Sequence, residues 1–260
     1  MRVGIISGSG TYEWPVLEDP AQVLSRTLYG DVTLTTGRVA EIEVVHLSRH
    51  GRDHFRLSNH VDHRANITAL LDAGVDCLIS TTVCGAVDRA VELGSIVVFD
   101  DLYFPSNRLP DGSLCTWFSQ QGGVGRGHWI FDRPFSTELR DAVIEAAQAI
   151  GVSQSTGCYG HVDGPRFNTR SEIAALATFG VTAVSQTAGP EVVLAGEAGL
   201  PMALVGYATD YANGVSDQAE PVEALLARIG ESTGVFSALV LALMSRLGRP
   251  GPSGVVHRFG

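Results

Sequence analysis

The stretch SRHGRDH, residues 48 to 54, sets two histidines and two arginines around one glycine, directly after the apolar run EIEVVHL. Arg49 offers a planar fork of N–H donors and His50 offers a further donor, and both groups suit phosphate oxygens. A solvated surface ion cluster that includes Asp53 is the alternative. The stretch therefore indicates an anion site only if other donors reach the same place.

Four other strand-like runs end in donors or in an acid. The glycine-rich turn SGSG (7–10) follows the first run, and its backbone N–H groups can face an anion. Thr82 stands near the end of a second run, and Thr187 precedes a helix start, where unpaired N–H groups point out of the helix. Asp210 ends the last run. A pocket that collected these strand ends would be rich in donors on one side and would hold one carboxyl on the other.

Several motifs are missing from the sequence. The SGSG turn departs from the dinucleotide pattern G-x-G-x-x-G, because Glu13 stands where the third glycine would be. Neither H-E-x-x-H nor G-x-S-x-G occurs, so we expect neither a metal site nor a serine hydrolase. The four cysteines include no C-x-x-C pair, which favours reduced thiols.

The composition indicates a globular, acidic protein. Hydrophobic residues make up 45% of the 260, and 18 basic against 28 acidic side chains give a net charge of -10. This charge opposes binding to nucleic acid or to an anionic membrane, so any anion site must be local. The N-terminal apolar run is too short for a signal peptide, and we expect a cytoplasmic protein.

Short β-branched runs alternate with helical patterns along the chain. The pattern predicts one α/β domain over residues 1–248, a mixed and largely parallel sheet flanked by helices, and a flexible tail over 249–260. We expect strands at 3–6, 32–36, 41–47, 76–83, 95–102, 181–186 and 202–210, and helices at 62–73, 136–149, from about 170, at 190–198 and from Pro221. In open parallel sheets, ligands bind beyond the carboxyl ends of the strands, which is where the residues above lie.

Several separated motifs, in order, carry a resemblance to a known family. GIISGSG, SRHGRDH, HRANITALLDAG, STTVCGAVD, GHVDGPRFNTRSE and QTAGPEVVLAGEAGLPMALVGYATDY together resemble the trimeric purine nucleoside phosphorylase superfamily, and most closely its 5'-methylthioadenosine phosphorylase branch. The resemblance implies a homotrimeric purine-salvage pentosyltransferase. Such an enzyme uses inorganic phosphate to split the N-glycosidic bond of a purine nucleoside, without cofactor or metal.

The resemblance also implies roles for individual residues. Asp210 would be the general acid at purine N7, with Phe167 stacked on the base and Asn168 beside it. His128 would reach across the trimer interface, and Val222 would pack on the 5' group. The phosphate set would be Ser9, Arg49, His50, Thr82, Val83 through its backbone, and Thr187.

Three positions depart from the pattern that the resemblance implies. Ala212 replaces a second aspartate, which weakens the preference for a 6-amino purine, and Asn213 could instead donate to a 6-oxo group. Gln186 replaces a methionine at the ribose, and Asn168 replaces a serine. A 6-oxopurine phosphorylase and a non-catalytic nucleoside-binding relative are therefore alternatives. A nucleosidase that uses water would not need Arg49 and His50.

Overall fold

The computed structural model describes residues 1–14, 16–218 and 220–259. The strands are β1 (Arg2–Ser7), β2 (Glu18–Thr27), β3 (Gly30–Val39), β4 (Ile42–Ser48), β5 (Cys77–Ala86), β6 (Ile96–Tyr103), β7 (Gly127–Ile130), β8 (Gln154–His161), β9 (Val181–Ser185), β10 (Met202–Tyr211) and β11 (Val255–Arg258). The helices are α1 (His63–Asp72), α2 (Thr137–Ala149), α3 (Arg170–Thr178), α4 (Ala188–Glu197) and α5 (Val222–Met244), and two short 3-10 helices cover Arg52–His54 and Ser58–His60.

Within the described residues, nine strands form one mixed sheet in the order β10-β6-β8-β9-β5-β1-β4-β3-β2. β1 lies between β4 and β5 and is parallel to both. β5 is also parallel to β10, so β5, β10, β6, β8 and β9 close into a ring. The carboxyl ends of β1, β4, β5 and β10 consequently point to the same edge of the sheet.

Helices cover both faces of this sheet, because its strands alternate apolar side chains between two cores. On β1, Val3 and Ile5 pack in one cluster with residues of α2 and α5, while Ile6 packs in another with α1 and α4. Helix α5 is 23 residues long, and its length and apolar composition would also suit a membrane span. Its C-terminal half nevertheless buries Phe236, Leu239 and Leu243 in the same apolar cluster as Val3 and Ile5 of β1.

The predicted fold class is confirmed, and the predicted helices are present within a few residues of their expected bounds. Thr169 caps α3 in a reciprocal capping box with Glu172, as their spacing predicts. The sequence patterns missed β2, β7, β8 and β11. Most residues of β2 are exposed at the edge of the sheet, so this strand lacks the apolar alternation that marks a buried one.

The C-terminal segment that we expected to be flexible contains a strand. β11 pairs antiparallel with β7, with Val255 opposite Ile130 and Arg258 opposite Gly127. Gly127 suits this pairing, because a Cβ there would lie 2.4 Å from the carbonyl oxygen of His257. Residues 105–129 show little helical or strand periodicity, and β7 lies at the end of this stretch and one residue beyond it. The local sequence therefore did not predict the pairing.

Candidate active site

One cavity of about 300 Å³ lies at the edge where the ends of β1, β4, β5, β9 and β10 meet. Its lining unites most of the residues singled out from the sequence: Ser9, His50, Thr82, Val83, Phe167, Asn168, Gln186, Thr187, Asp210 and Asn213. Three others, Arg49, His128 and Val222, do not line it among the described residues. The strand ends therefore converge on one cavity, as the sequence suggested. Each of the three residues outside the lining has its own physical reason.

The glycine-rich turn after β1 is packed between a buried arginine and helix α5. A Cβ on Gly8 would lie 2.5 Å from Nη1 of Arg49, and a Cβ on Gly10 would lie 2.7 Å from the carbonyl oxygen of Ile229. Gly10 has a φ of +86°, and its carbonyl accepts a hydrogen bond from Thr233 Oγ1 at 2.8 Å. Only glycine permits both approaches at once, so this turn joins α5 to the cavity floor.

Arg49 lies behind this turn, and it does not line the cavity in the part of the chain that the structure describes. The side chain is buried, and it donates from Nε to Glu191 Oε1 at 2.7 Å and from Nη2 to Glu191 Oε2 at 3.0 Å. Its other donors reach Ser80 Oγ at 2.6 Å and the carbonyl oxygen of Thr81 at 2.7 Å. The Glu191 carboxylate, from the first turn of α4, thus offsets part of the Arg49 charge next to the glycine turn.

His50 lines the cavity as a neutral ring. Its Nδ1 lies 2.8 Å from the carbonyl oxygen of Arg56, an acceptor, so Nδ1 carries the proton. Burial, reinforced by the charge of Arg49, lowers the pKa of His50 to about 3. The ring also stacks on His54, with centroids 4.1 Å apart. Nε2 consequently presents a lone pair, so His50 is an acceptor in this state and not the donor that the sequence suggested.

Hydroxyl groups and a helix start supply the remaining donors at this end. Thr187 precedes α4, and its side chain makes no capping hydrogen bond, so the hydroxyl stays available to the cavity. Thr82 Oγ1 lies 2.9 Å from Ser185 Oγ, which in turn lies 2.7 Å from Tyr159 Oη. Tyr159 Oη accepts from the Ala188 N–H at 3.1 Å, which fixes this chain of hydroxyls to the first turn of α4. Ser185 was not singled out from the sequence.

Asp210 occupies the opposite end of the cavity. Burial raises the pKa of its carboxyl above the usual range, although the hydrogen bond from Thr209 Oγ1 to Oδ1 at 2.7 Å opposes the shift. Arg228 of α5 donates to the Thr209 carbonyl at 3.0 Å and to Glu220 at 2.8 Å, so its charge is shared with Glu220. A raised pKa favours the protonated carboxyl, which is the form that can deliver a proton.

An apolar wall stands beside Asp210. Ala212 is 7% exposed and belongs to a small apolar cluster with Ile173 and Val184, all three of which line the cavity. A Cβ placed on Gly85 would lie 3.5 Å from both Ala212 Cβ and Asp210 Oδ2, so the two side chains face the same glycine. The cavity therefore presents the Asp210 carboxyl beside an apolar wall.

Two predicted residues lie outside this arrangement. His128 is exposed on β7, where it pairs with His257 of β11. Val222 is 63% exposed at the start of α5, but Leu225 and Ile229, about one and two turns further on, line the cavity. The helical spacing of the apolar residues on α5 would have been enough to identify Leu225 and Ile229 from the sequence. Helix α5 thus supplies an apolar wall, although through residues other than the one singled out.

A second cavity of about 220 Å³ adjoins the first. Ser58 and Gln186 line both cavities, and their side chains are hydrogen-bonded to each other at 2.9 Å. The second cavity also contacts His63 and His161, whose pKa values burial lowers to about 3. Among the described residues, no group of three or more His, Cys, Asp or Glu side chains has a metal-binding arrangement.

A family model described as the phosphorylase superfamily matches residues 2–245. The chain belongs to this superfamily. The match spans nearly the whole α/β domain and every strand end that contributes to the cavity. It confirms the family resemblance inferred from the motifs, and it makes the protein an enzyme of the purine nucleoside phosphorylase family.

Individual phosphorylases of two kinds resemble the chain. A 6-oxopurine nucleoside phosphorylase from Pyrococcus furiosus is 34% identical over 83% of this chain and 81% of its own length. An S-methyl-5'-thioadenosine phosphorylase from Danio rerio is also 34% identical, over 81% of this chain and 76% of its own. The structure of methylthioadenosine phosphorylase from Schistosoma mansoni in complex with adenine matches 94% of this chain and 90% of its own, with a TM-score of 0.85 and 27% identity.

Proposed function

We propose that the protein cleaves the N-glycosidic bond of 5'-methylthioadenosine or a related 5'-modified purine nucleoside with inorganic phosphate, giving free purine and a pentose 1-phosphate. One observation carries the proposal: a single cavity joins a donor-rich end at the glycine turn and α4 to an opposite end with Asp210 and an aromatic ring. Relatives of both kinds are phosphorylases, which supports phosphate as the second substrate.

The chemistry requires both ends. Departure of the base leaves an oxocarbenium-like sugar, and a phosphate held at the donor-rich end would stabilise this cation and capture it. Ser9, Thr82 and Thr187 supply hydroxyls and N–H groups for the phosphate. His50, whose Nε2 is an acceptor, accepts a hydrogen bond from a phosphate oxygen that still carries its proton. The positive charge of Arg49 acts from behind the turn, moderated by Glu191.

The leaving group is addressed at the other end. A departing purine carries negative charge unless N7 receives a proton or a hydrogen bond, and Asp210, with its raised pKa, is suited to provide it. Phe167 is 62% exposed and lines the cavity, so its ring is available to stack on a base. Leu225 and Ile229 form an apolar wall that suits a 5'-alkylthio substituent better than a charged one.

The proposal also covers assembly and cofactors. We expect phosphate to be a co-substrate, no cofactor or metal to be required, and the enzyme to act in the cytoplasm. We expect a homotrimer, with His128 of one protomer near the site of its neighbour. The exposure of His128 on β7 is compatible with such a contact.

A 6-oxopurine substrate is the second candidate. Ala212 leaves the wall beside Asp210 apolar, and among the described residues that line the cavity no second carboxylate is present to accept from a 6-amino group. The likeness to the 6-oxopurine enzyme from Pyrococcus furiosus points the same way.

The deciding experiment measures base release from methylthioadenosine, methylthioinosine, adenosine and inosine, each with and without phosphate. Phosphate-dependent release supports the proposal, and the rank order identifies the purine. Release without phosphate would indicate a nucleosidase. No release from any of the four, together with nucleoside binding by calorimetry, would indicate a non-catalytic binder.

A further inference from the structure

Phe167 depends on its backbone for its position over the cavity. Phe167 is 62% exposed, so packing holds it only in part, although it lines the cavity. The residue belongs to the segment 164–168, which crosses from β8 to the start of α3. A stacking ring on such a segment is useful only if the segment itself is held in place.

Two side-chain amides hold the carbonyl groups on either side of Phe167. Gln186, just after β9, donates from Nε2 to the carbonyl oxygen of Arg166 at 3.0 Å. Asn213, just after β10, donates from Nδ2 to the carbonyl oxygen of Asn168 at 2.7 Å. The ends of β9 and β10 therefore hold segment 164–168 by hydrogen bonds to the residues before and after Phe167.

The orientation of the Gln186 amide is fixed by a third residue. Ser58 Oγ donates to Gln186 Oε1 at 2.9 Å, which leaves the NH₂ group directed at Arg166. Gly164 makes room for this pair, because a Cβ there would lie 2.1 Å from Gln186 Oε1 and 2.2 Å from Ser58 Oγ. Ser58, Gly164 and Gln186 lie far apart in the sequence, and each has the residue type that the hydrogen bond from Gln186 to Arg166 needs.

We infer that Gln186 is a positioning residue that, together with Asn213, clamps the Phe167 segment, and that it acts on the base through the Phe167 ring. This inference rests on the proposed function for the identity of the ligand. A methionine at position 186 would fill similar space but could not donate to Arg166. The inference also gives Asn213 a structural role, because one N–H of its Nδ2 is donated to Asn168 and only the other could reach a 6-oxo group.

The first test needs no activity. Trypsin cleavage after Arg166 requires the segment to leave its clamped conformation, and cleavage after Arg246 in the same digest provides an internal reference. Losing a hydrogen bond of typical net strength should speed cleavage at Arg166 about fivefold in Gln186→Met and in Asn213→Ala. Gln148→Met makes the same change on an exposed face of α2 and should leave the ratio unaltered. Equal ratios in all four proteins would overturn the inference.

The second test asks whether Gln186 acts through Phe167. Calorimetry with adenine and with hypoxanthine measures base affinity in the wild type, Gln186→Met, Phe167→Ala and the double variant. The loss caused by Gln186→Met should vanish in the Phe167→Ala background. A loss that is equal in both backgrounds would show that Gln186 contacts the ligand directly. If neither base binds the wild type, the proposed function fails, while the digestion still decides whether the clamp exists.

Discussion

At the scale of single residues, Asp210 is the group on which turnover should depend most. Asp210→Asn keeps the size of the side chain but removes the transferable proton, so we expect kcat to fall about 100- to 10,000-fold while phosphate affinity changes little. Steady-state kinetics and calorimetry with phosphate measure the two quantities. Asp217→Asn, at an exposed carboxyl, is the matched control. Equal losses in kcat and phosphate affinity would contradict the acid role.

Ala212 should set the preference between 6-amino and 6-oxo purines. Ala212→Asp introduces a carboxylate beside Asp210, where it can accept from a 6-amino group and further raise the pKa of Asp210 by repulsion. The ratio of kcat/KM for methylthioadenosine over methylthioinosine should therefore increase. Ala212→Asn has the same shape without the charge and should change the ratio less. An unchanged ratio in Ala212→Asp would show that the base is selected elsewhere.

At the scale of elements, the Arg49–Glu191 pair ties the end of β4 to the first turn of α4. Both side chains are fully buried, so Glu191→Gln leaves the Arg49 charge without its partner and should reduce the free energy of unfolding by about 3–5 kcal/mol. Urea unfolding measures this loss. Glu41→Gln breaks the exposed pair with Arg38 and should cost less than about 1 kcal/mol. Similar costs for the two variants would mean that the buried pair does not hold the elements together.

Element positions followed from the sequence more reliably than the partners of buried charges. Strand ends are marked by apolar runs that stop at glycine, threonine or charged residues. This pattern predicted that Ser9, Thr82 and Asp210 would lie around one cavity, as they do. The partner of Arg49 could not be found in this way, because Glu191 lies 142 residues away and is one of many acids in helices. The amide contacts of Gln186 and Asn213 were missed for the same reason. Contacts between distant loops depend on the packing of whole elements.

At the scale of the whole molecule, several buried histidines couple folding to pH. Burial lowers the pKa of His46 to about 4 and those of His50 and His63 to about 3, whereas the unfolded chain titrates at the ordinary value of about 6.5. The unfolded state therefore binds more protons below pH 6.5. Stability should be fully present above that pH and be lost as the pH falls towards 3, by about 2 kcal/mol per histidine between pH 7 and pH 5.

His63 provides the sharpest test of this coupling. Its two ring nitrogens have no hydrogen-bond partner among the described residues, and it faces Arg49, Glu191 and His161. His63→Leu should therefore cost little stability at pH 7 and should reduce the loss between pH 7 and pH 5 by about 2 kcal/mol, measured by urea unfolding at both values. The raised pKa values of Asp210 and Glu197 have the opposite effect, since they increase stability as the pH falls. This contribution is the same in the wild type and in the variant, so it drops out of the difference between them. A substitution of the exposed His257 serves as the control. If His63→Leu retains the full pH dependence, the acid sensitivity arises from groups other than this buried ring.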